Sequence, residues 1–107
     1  MGHNHNKLIG KFELDDDILE KLENFYSLFS SVSKLKIIWA LYKGEMCVVE
    51  LANLIGKTKS AVSHQLKYLK EQNLVVSEKI GKEVFYKLAD DHITQIFEIA
   101  LEHIEEV

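Results

Sequence analysis

Asp90, His92, His103 and Glu106 stand together near the C-terminal end of the chain, two carboxylates and two imidazoles of the kind that bind divalent metals. Their spacing constrains how they could do it. His92 and His103 are eleven residues apart, almost a whole number of helical turns, so on a helix they share one face. They are nevertheless separated by ~16 Å along the axis at the usual rise. One ion with bonds of ~2 Å cannot touch both from a single chain. A two-fold copy running antiparallel removes the difficulty, because His92 of one chain then lies beside His103 of the other. Each of two equivalent sites would gather Asp90 and His92 from one protomer and His103 and Glu106 from its mate, a set suited to tetrahedral zinc or cobalt. Against this stands the plainer reading, that two histidines on a terminal helix are ordinary surface polarity.

A second set of polar residues is denser. Thr58, Lys59, Ser60, Ser63, His64, Gln65 and Lys67 supply hydroxyls, an amide, an imidazole and amines. Positions 60, 63, 64 and 67 recur at helical spacing opposite Ala61, Val62 and Leu66. Such a face can hydrogen-bond to phosphates and base edges in a DNA major groove. Lys79 and Lys82 add charge a little further on. The net charge of −4 opposes a nucleic-acid partner only as an average over two unlike parts. Residues 57–87 hold seven lysines against three acids, +4, while the other six lysines meet fourteen acids, −8. A basic reading head on an acidic body has this distribution. All thirteen cations are lysine, so bidentate guanidinium recognition of guanine is excluded. His64 has no nucleophile at a useful spacing, and no paired acid and base occurs, which argues against an enzyme and against a small-molecule substrate. One cysteine, Cys47, rules out an intramolecular disulfide framework. With no secretory leader and no apolar run of membrane-spanning length, the reading is a cytoplasmic protein without a membrane partner.

The elements that must position these residues follow from periodicity. The chain of 107 residues, 47% hydrophobic and 28% charged, suits one domain, with 1–12 a polar and flexible opening. A first helix starts near Asp15, carries Ile18, Leu19, Leu22, Phe25, Tyr26 and Phe29, and breaks at Ser30 and Ser31. Ser33 is the expected cap of a second helix, which Gly44 stops. A third runs over 47–55, Gly56 makes a turn, and Thr58 or Lys57 leads into a fourth that ends near Asn73, with Ala61, Val62, Leu66 and Leu69 apolar. Third and fourth together form a helix-turn-helix. Two strand-like runs, 74–77 and 84–88, flank a charged tip at 78–83 that contains Gly81, a β-hairpin placed as a wing. A last helix covers 91–106. Its isoleucines and Phe97 occupy more than one face, as a helix packing on its own body and on a partner requires. The predicted fold is mainly α with a small hairpin, ααααββα, a winged helix-turn-helix that dimerises through its terminal helices.

The residues 47–106 resemble the ArsR/SmtB family of metal-responsive repressors, most closely its zinc-sensing branch. The resemblance is carried by Glu45-Met46-Cys47-Val48-Val49-Glu50-Leu51-Ala52, by Ser60-Ala61-Val62-Ser63-His64-Gln65-Leu66, and by Asp90-Asp91-His92 with Ala100-Leu101-Glu102-His103-Ile104-Glu105-Glu106. It extends more weakly through the first two helices. It implies a homodimeric repressor that binds double-stranded operator DNA when metal-free. It further implies that zinc, or cobalt, at Asp90, His92, His103 and Glu106 stabilises a conformation with poor DNA affinity. The resemblance also implies that the His103 ring donates to a backbone carbonyl near the end of the reading helix, close to Asn73. The sequence departs from the family's second, thiolate site: only Cys47 is present, with Val49 where another thiol would stand. Nickel-sensing relatives can begin Met-Gly-His, which leaves His3 and His5 as a secondary metal site and nickel as the alternative metal. Two further alternatives keep less of the scheme, a non-metal or redox inducer acting through Cys47, and a metal-buffering module without operator specificity.

Overall fold

The computed structural model describes residues 14–105. The expected flexibility of 1–12, together with His3, His5 and Glu106, lies outside the described residues. Helix α1 spans Asp16–Ser27, and the Asp15 side chain accepts from the Ile18 N–H at 3.0 Å, closing its first turn. Helix α2 spans Val32–Lys43. Its cap is Ser31, whose Oγ accepts from Lys34 N–H at 3.1 Å, and not the expected Ser33. Ser31 has extended backbone while Ser33 is already inside the helix, so the Ser33 hydroxyl is free to face another element.

After Gly44 the chain makes a strand the sequence did not announce, β1 (Met46–Cys47). Two residues are too few for any periodicity to register. Helix α3 (Val48–Ile55) follows at once, with the Glu50 carboxylate accepting from the Cys47 N–H at 3.0 Å. Gly56 ends it at φ +70, a left-handed conformation that costs other residues energy. Helix α4 (Lys59–Glu71) starts on Thr58, which accepts from Ala61 N–H at 3.1 Å. Asn73, at φ 63, turns the chain out of it.

The hairpin is longer than predicted: β2 is Val75–Ile80 and β3 is Glu83–Leu88. Most of the segment read as a charged tip is therefore paired strand, and the turn is only Gly81 and Lys82, with Gly81 at φ +66. β1 pairs antiparallel with the other edge of β3, Met46 opposite Tyr86, giving the order β1-β3-β2. The sequence of elements is thus ααβααββα, the expected fold with one strand added. Helix α5 spans Asp91–Glu105.

The core is apolar. Ile37, Ile38, Leu51, Leu66, Leu69 and Leu74 are fully enclosed, and no polar residue is buried among the described residues. Leu66 and Leu69 anchor the inner face of α4 while Leu51 and Ala52 anchor α3, which fixes the helix-turn-helix as a rigid unit. Ala61, read as an inner residue of α4, is exposed. Helix α1 buries none of its residues completely, although Leu19, Leu22 and Tyr26 repeat along it.

Candidate functional site

Helix α4 presents Lys59, Ser60, Ser63, His64 and Lys67 to solvent while its opposite side is locked into the core. The five belong to the set nominated from sequence, and the helix brings them to one exposed side. Thr58 stands at the helix start as its cap. Gln65 is different: it is half-buried, and its amide donates to Ser33 Oγ at 3.1 Å, pinning α4 to the start of α2. Lys79 lies on β2 and Lys82 in the hairpin turn, both exposed. A second pin joins α4 to the hairpin, since Lys70 Nζ donates to Ser77 Oγ at 2.7 Å. The sequence pointed to Ser33 only as a cap and gave no signal for Ser77, because each matters here through a partner on another element.

Helix α5 has two apolar-bearing faces. Ile93 and Phe97 are buried and Leu101 is half-buried, one side packed on the body. His92, Ile96, Ile99 and His103 follow one another at four, three and four residues, a single stripe on another side. All four are exposed, Ile99 at 65%. Asp90 caps the helix, accepting from Ile93 N–H at 3.1 Å, and its Oδ1 lies 3.7 Å from His92 Nδ1. A carboxylate and an imidazole therefore stand side by side at the N-terminal end of the stripe, and His103 stands at the other. Among the described residues no three His, Cys, Asp or Glu side chains of one chain converge on a point.

Beside α5, a groove of about 560 Å³ runs between α1, α2 and α5, walled by Tyr26, Phe29, Trp39, Ile96, Phe97 and Ile104 among others. Tyr26 and Ile104 are 64% and 68% exposed, far more than isolated apolar side chains need. One polar bond crosses from α2 to α5: Tyr42 donates its hydroxyl to Glu98 at 2.9 Å. That bond, with burial and the charges of Glu98 and Glu102, raises the Tyr42 phenol above its ordinary value. Finally, the Ala89 N–H donates to the Leu74 carbonyl at 2.9 Å, joining the exit of α4 to the residue before Asp90.

Residues 31–77 match the family model described as the bacterial regulatory protein, arsR family. A transcriptional repressor SmtB homolog of Synechocystis sp. is 36% identical over 90 residues, which cover 84% of this chain and 68% of that protein. In three dimensions the chain is similar to the solution structure of apo-NmtR, with a TM-score of 0.79 and 34% identity, covering 88% of this chain and 79% of that one. It also shares its fold with a homodimeric winged helix-turn-helix DNA-binding domain, Mb0332 from Mycobacterium bovis, at TM-score 0.76 and 23% identity, covering 90% and 95% of the two chains.

Proposed function

The chain belongs to the ArsR/SmtB family of winged-helix transcriptional regulators and is not an enzyme, and from that premise we propose that it is a homodimeric repressor released from operator DNA by zinc. The observation that carries the reading is the α5 stripe, which places Asp90 and His92 at one end, His103 at the other, and exposed Ile96 and Ile99 between. An antiparallel partner would cover the isoleucines and bring the two ends together, with Glu106 completing each set. The apolar groove along α1, α2 and α5 gives the same partner more surface to bury. Zinc bound there would bridge the two α5 helices through imidazole and carboxylate bonds. On this reading the chain's own residues then transmit the change. Asp90 follows Ala89, whose N–H holds the Leu74 carbonyl, so a pull at the sensor end is felt where α4 leaves for the wing.

Two imidazoles with two carboxylates favour zinc or cobalt over a metal that prefers thiolate. Nickel stays the alternative, with His3 and His5 as added donors. A redox inducer is disfavoured because Cys47 is 8% exposed and serves as the cap position of α3. The DNA contacts proposed are Ser60, Ser63, His64 and Lys67, with Thr58 and Lys59 on the phosphates and Lys79 and Lys82 on the wing. Gln65 joins them only by giving up its bond to Ser33. The test is fluorescence anisotropy on the protein's own promoter DNA, titrated with zinc, cobalt and nickel in turn. Zinc should weaken binding at least tenfold, ~1.4 kcal/mol of coupling. Tight binding indifferent to all three metals would remove the sensor and leave the DNA reader.

A further inference from the structure

On the flank of α4, at the edge of the face assigned to DNA contact and sharing His64 and Lys67 with it, a polar groove of about 410 Å³ is lined by Lys34, His64, Gln65, Lys67, Tyr68 and Glu71. Lys34 comes from α2, and three observations fix it there. Ser31 holds its backbone N–H, and the neighbouring residue Ser33 accepts the Gln65 amide, so the start of α2 is pinned against α4. Its Nζ lies 4.9 Å from the centre of the Tyr68 ring, a cation–π contact that keeps the long side chain over α4. Among the described residues neither Lys34 nor Lys67 has a carboxylate within 4.0 Å, although Glu71 shares the groove. Two amines thus face one groove without a bonded counter-charge.

We propose that Lys34 and Lys67 form a clamp for a DNA backbone phosphate at the rim of the major groove that α4 enters, in which Lys34 is a contact supplied by α2 from outside the helix-turn-helix. The geometry argues for the rim over the base edges. A helix with its side chains is ~10–12 Å across and the major groove ~12 Å wide, so α4 fills it. Whatever packs on the flank of α4 must then meet the sugar-phosphate wall. An ammonium is suited to that wall, being a compact charge that recognises phosphate without reading sequence. Tyr68 acts as a positioning residue, holding the Lys34 amine ready with little freedom left to lose on binding.

This inference rests on the DNA-binding reading above, and the experiment separates the two. Affinity of the full-length protein for its promoter duplex and for a scrambled duplex is measured across a salt series, for wild type, Lys34→Gln and Lys34→Arg. Removal of one phosphate contact lowers the slope of log affinity against log salt by about 0.9 for each protomer on the DNA. Lys34→Gln should show that loss on both duplexes alike, and Lys34→Arg should keep the wild-type slope. Circular dichroism and the zinc response should be unchanged in both variants. A wild-type slope in Lys34→Gln, or an equal loss in Lys34→Arg, overturns the clamp while the regulator stands. A wild-type protein that binds neither duplex overturns both.

Discussion

Asp90 does two things that a single substitution can separate. It caps α5 through the Ile93 N–H, and it stands beside His92, where the proposed metal site would use its carboxylate. Asp90→Ala should therefore cost about 1 kcal/mol of stability as well as the metal response. Asp90→Asn keeps a capping oxygen, so a urea melt should show it close to wild type while zinc affinity still falls. If both variants melt alike, the cap contributes nothing. His103→Gln and His92→Gln make the cleaner pair, since both residues are exposed and bury nothing. Each should leave metal-free DNA binding intact and abolish release by zinc, and loss of DNA binding in the apo protein would count against the assignment. Tyr42 offers a check on the α2–α5 contact by pH. Its phenol is raised chiefly by donating to Glu98, with Glu98 and Glu102 charges adding to the effect. A raised phenol contributes stability that is present below pH ~10 and lost as pH climbs past its folded value. Wild type should thus lose more stability than Tyr42→Phe above that pH, with parallel curves below it. The eleven-residue spacing of the histidines was legible in the sequence because it is local to one helix. The Tyr42–Glu98 bond was not, since 56 residues separate its partners and neither stands in a motif.

Helix ends were read well where a single residue decides them and poorly where neighbours compete. Asp15, Thr58 and Gly56 terminate the helices as their chemistry dictates. At the start of α2 three serines stand at positions 30, 31 and 33, and only the backbone shows that Ser31 caps while Ser33 receives Gln65. Sequence pattern alone makes the wing strands too short, because Glu78, Lys79, Lys82 and Glu83 have the composition of a loop. A hairpin that projects from the body keeps charge on paired strands, since both of its tip faces meet water. The turn of the helix-turn-helix gives a sharper test. A Cβ on Gly56 would meet nothing within 4 Å, so Gly56→Ala is opposed only by its φ of +70. That strain amounts to about 1–2 kcal/mol, or a drop in Tm of ~4–8 °C for each kcal/mol in a chain of this size. Asn73 already holds φ 63 elsewhere, so Gly56→Asn should lose visibly less. Equal losses from Ala and Asn would mean that side-chain crowding, and not backbone strain, sets the cost.

At the scale of the whole molecule the chain is asymmetric in charge and in exposed apolar surface, and the two asymmetries point different ways. The basic segment holds α4 and the wing, α1 and α5 carry most of the remaining acids, and α1, α2 and α5 border a groove that no other described residue fills. Apolar side chains left in water on that scale imply a partner. That α5 carries two apolar faces was legible from its isoleucines, whereas the groove was not, because it exists only once α1 and α2 lie against α5. Ile99 is the position to probe. It sits between the histidines, is 65% exposed, and is not part of the core, so Ile99→Glu should fold normally by circular dichroism. A charge buried against a second copy without a partner is costly, so sedimentation should find that variant monomeric. Trp39, the one tryptophan, lines the groove at 39% exposure and reports the same event. Its emission should lie further to the red in the variant than in wild type, where the proposed partner would shield it. The variant should also lose zinc binding although every proposed ligand is present, because in the proposed dimer each site draws on two chains. Retention of tight zinc binding by a monomeric Ile99→Glu would show that one chain suffices, and would end the two-chain site.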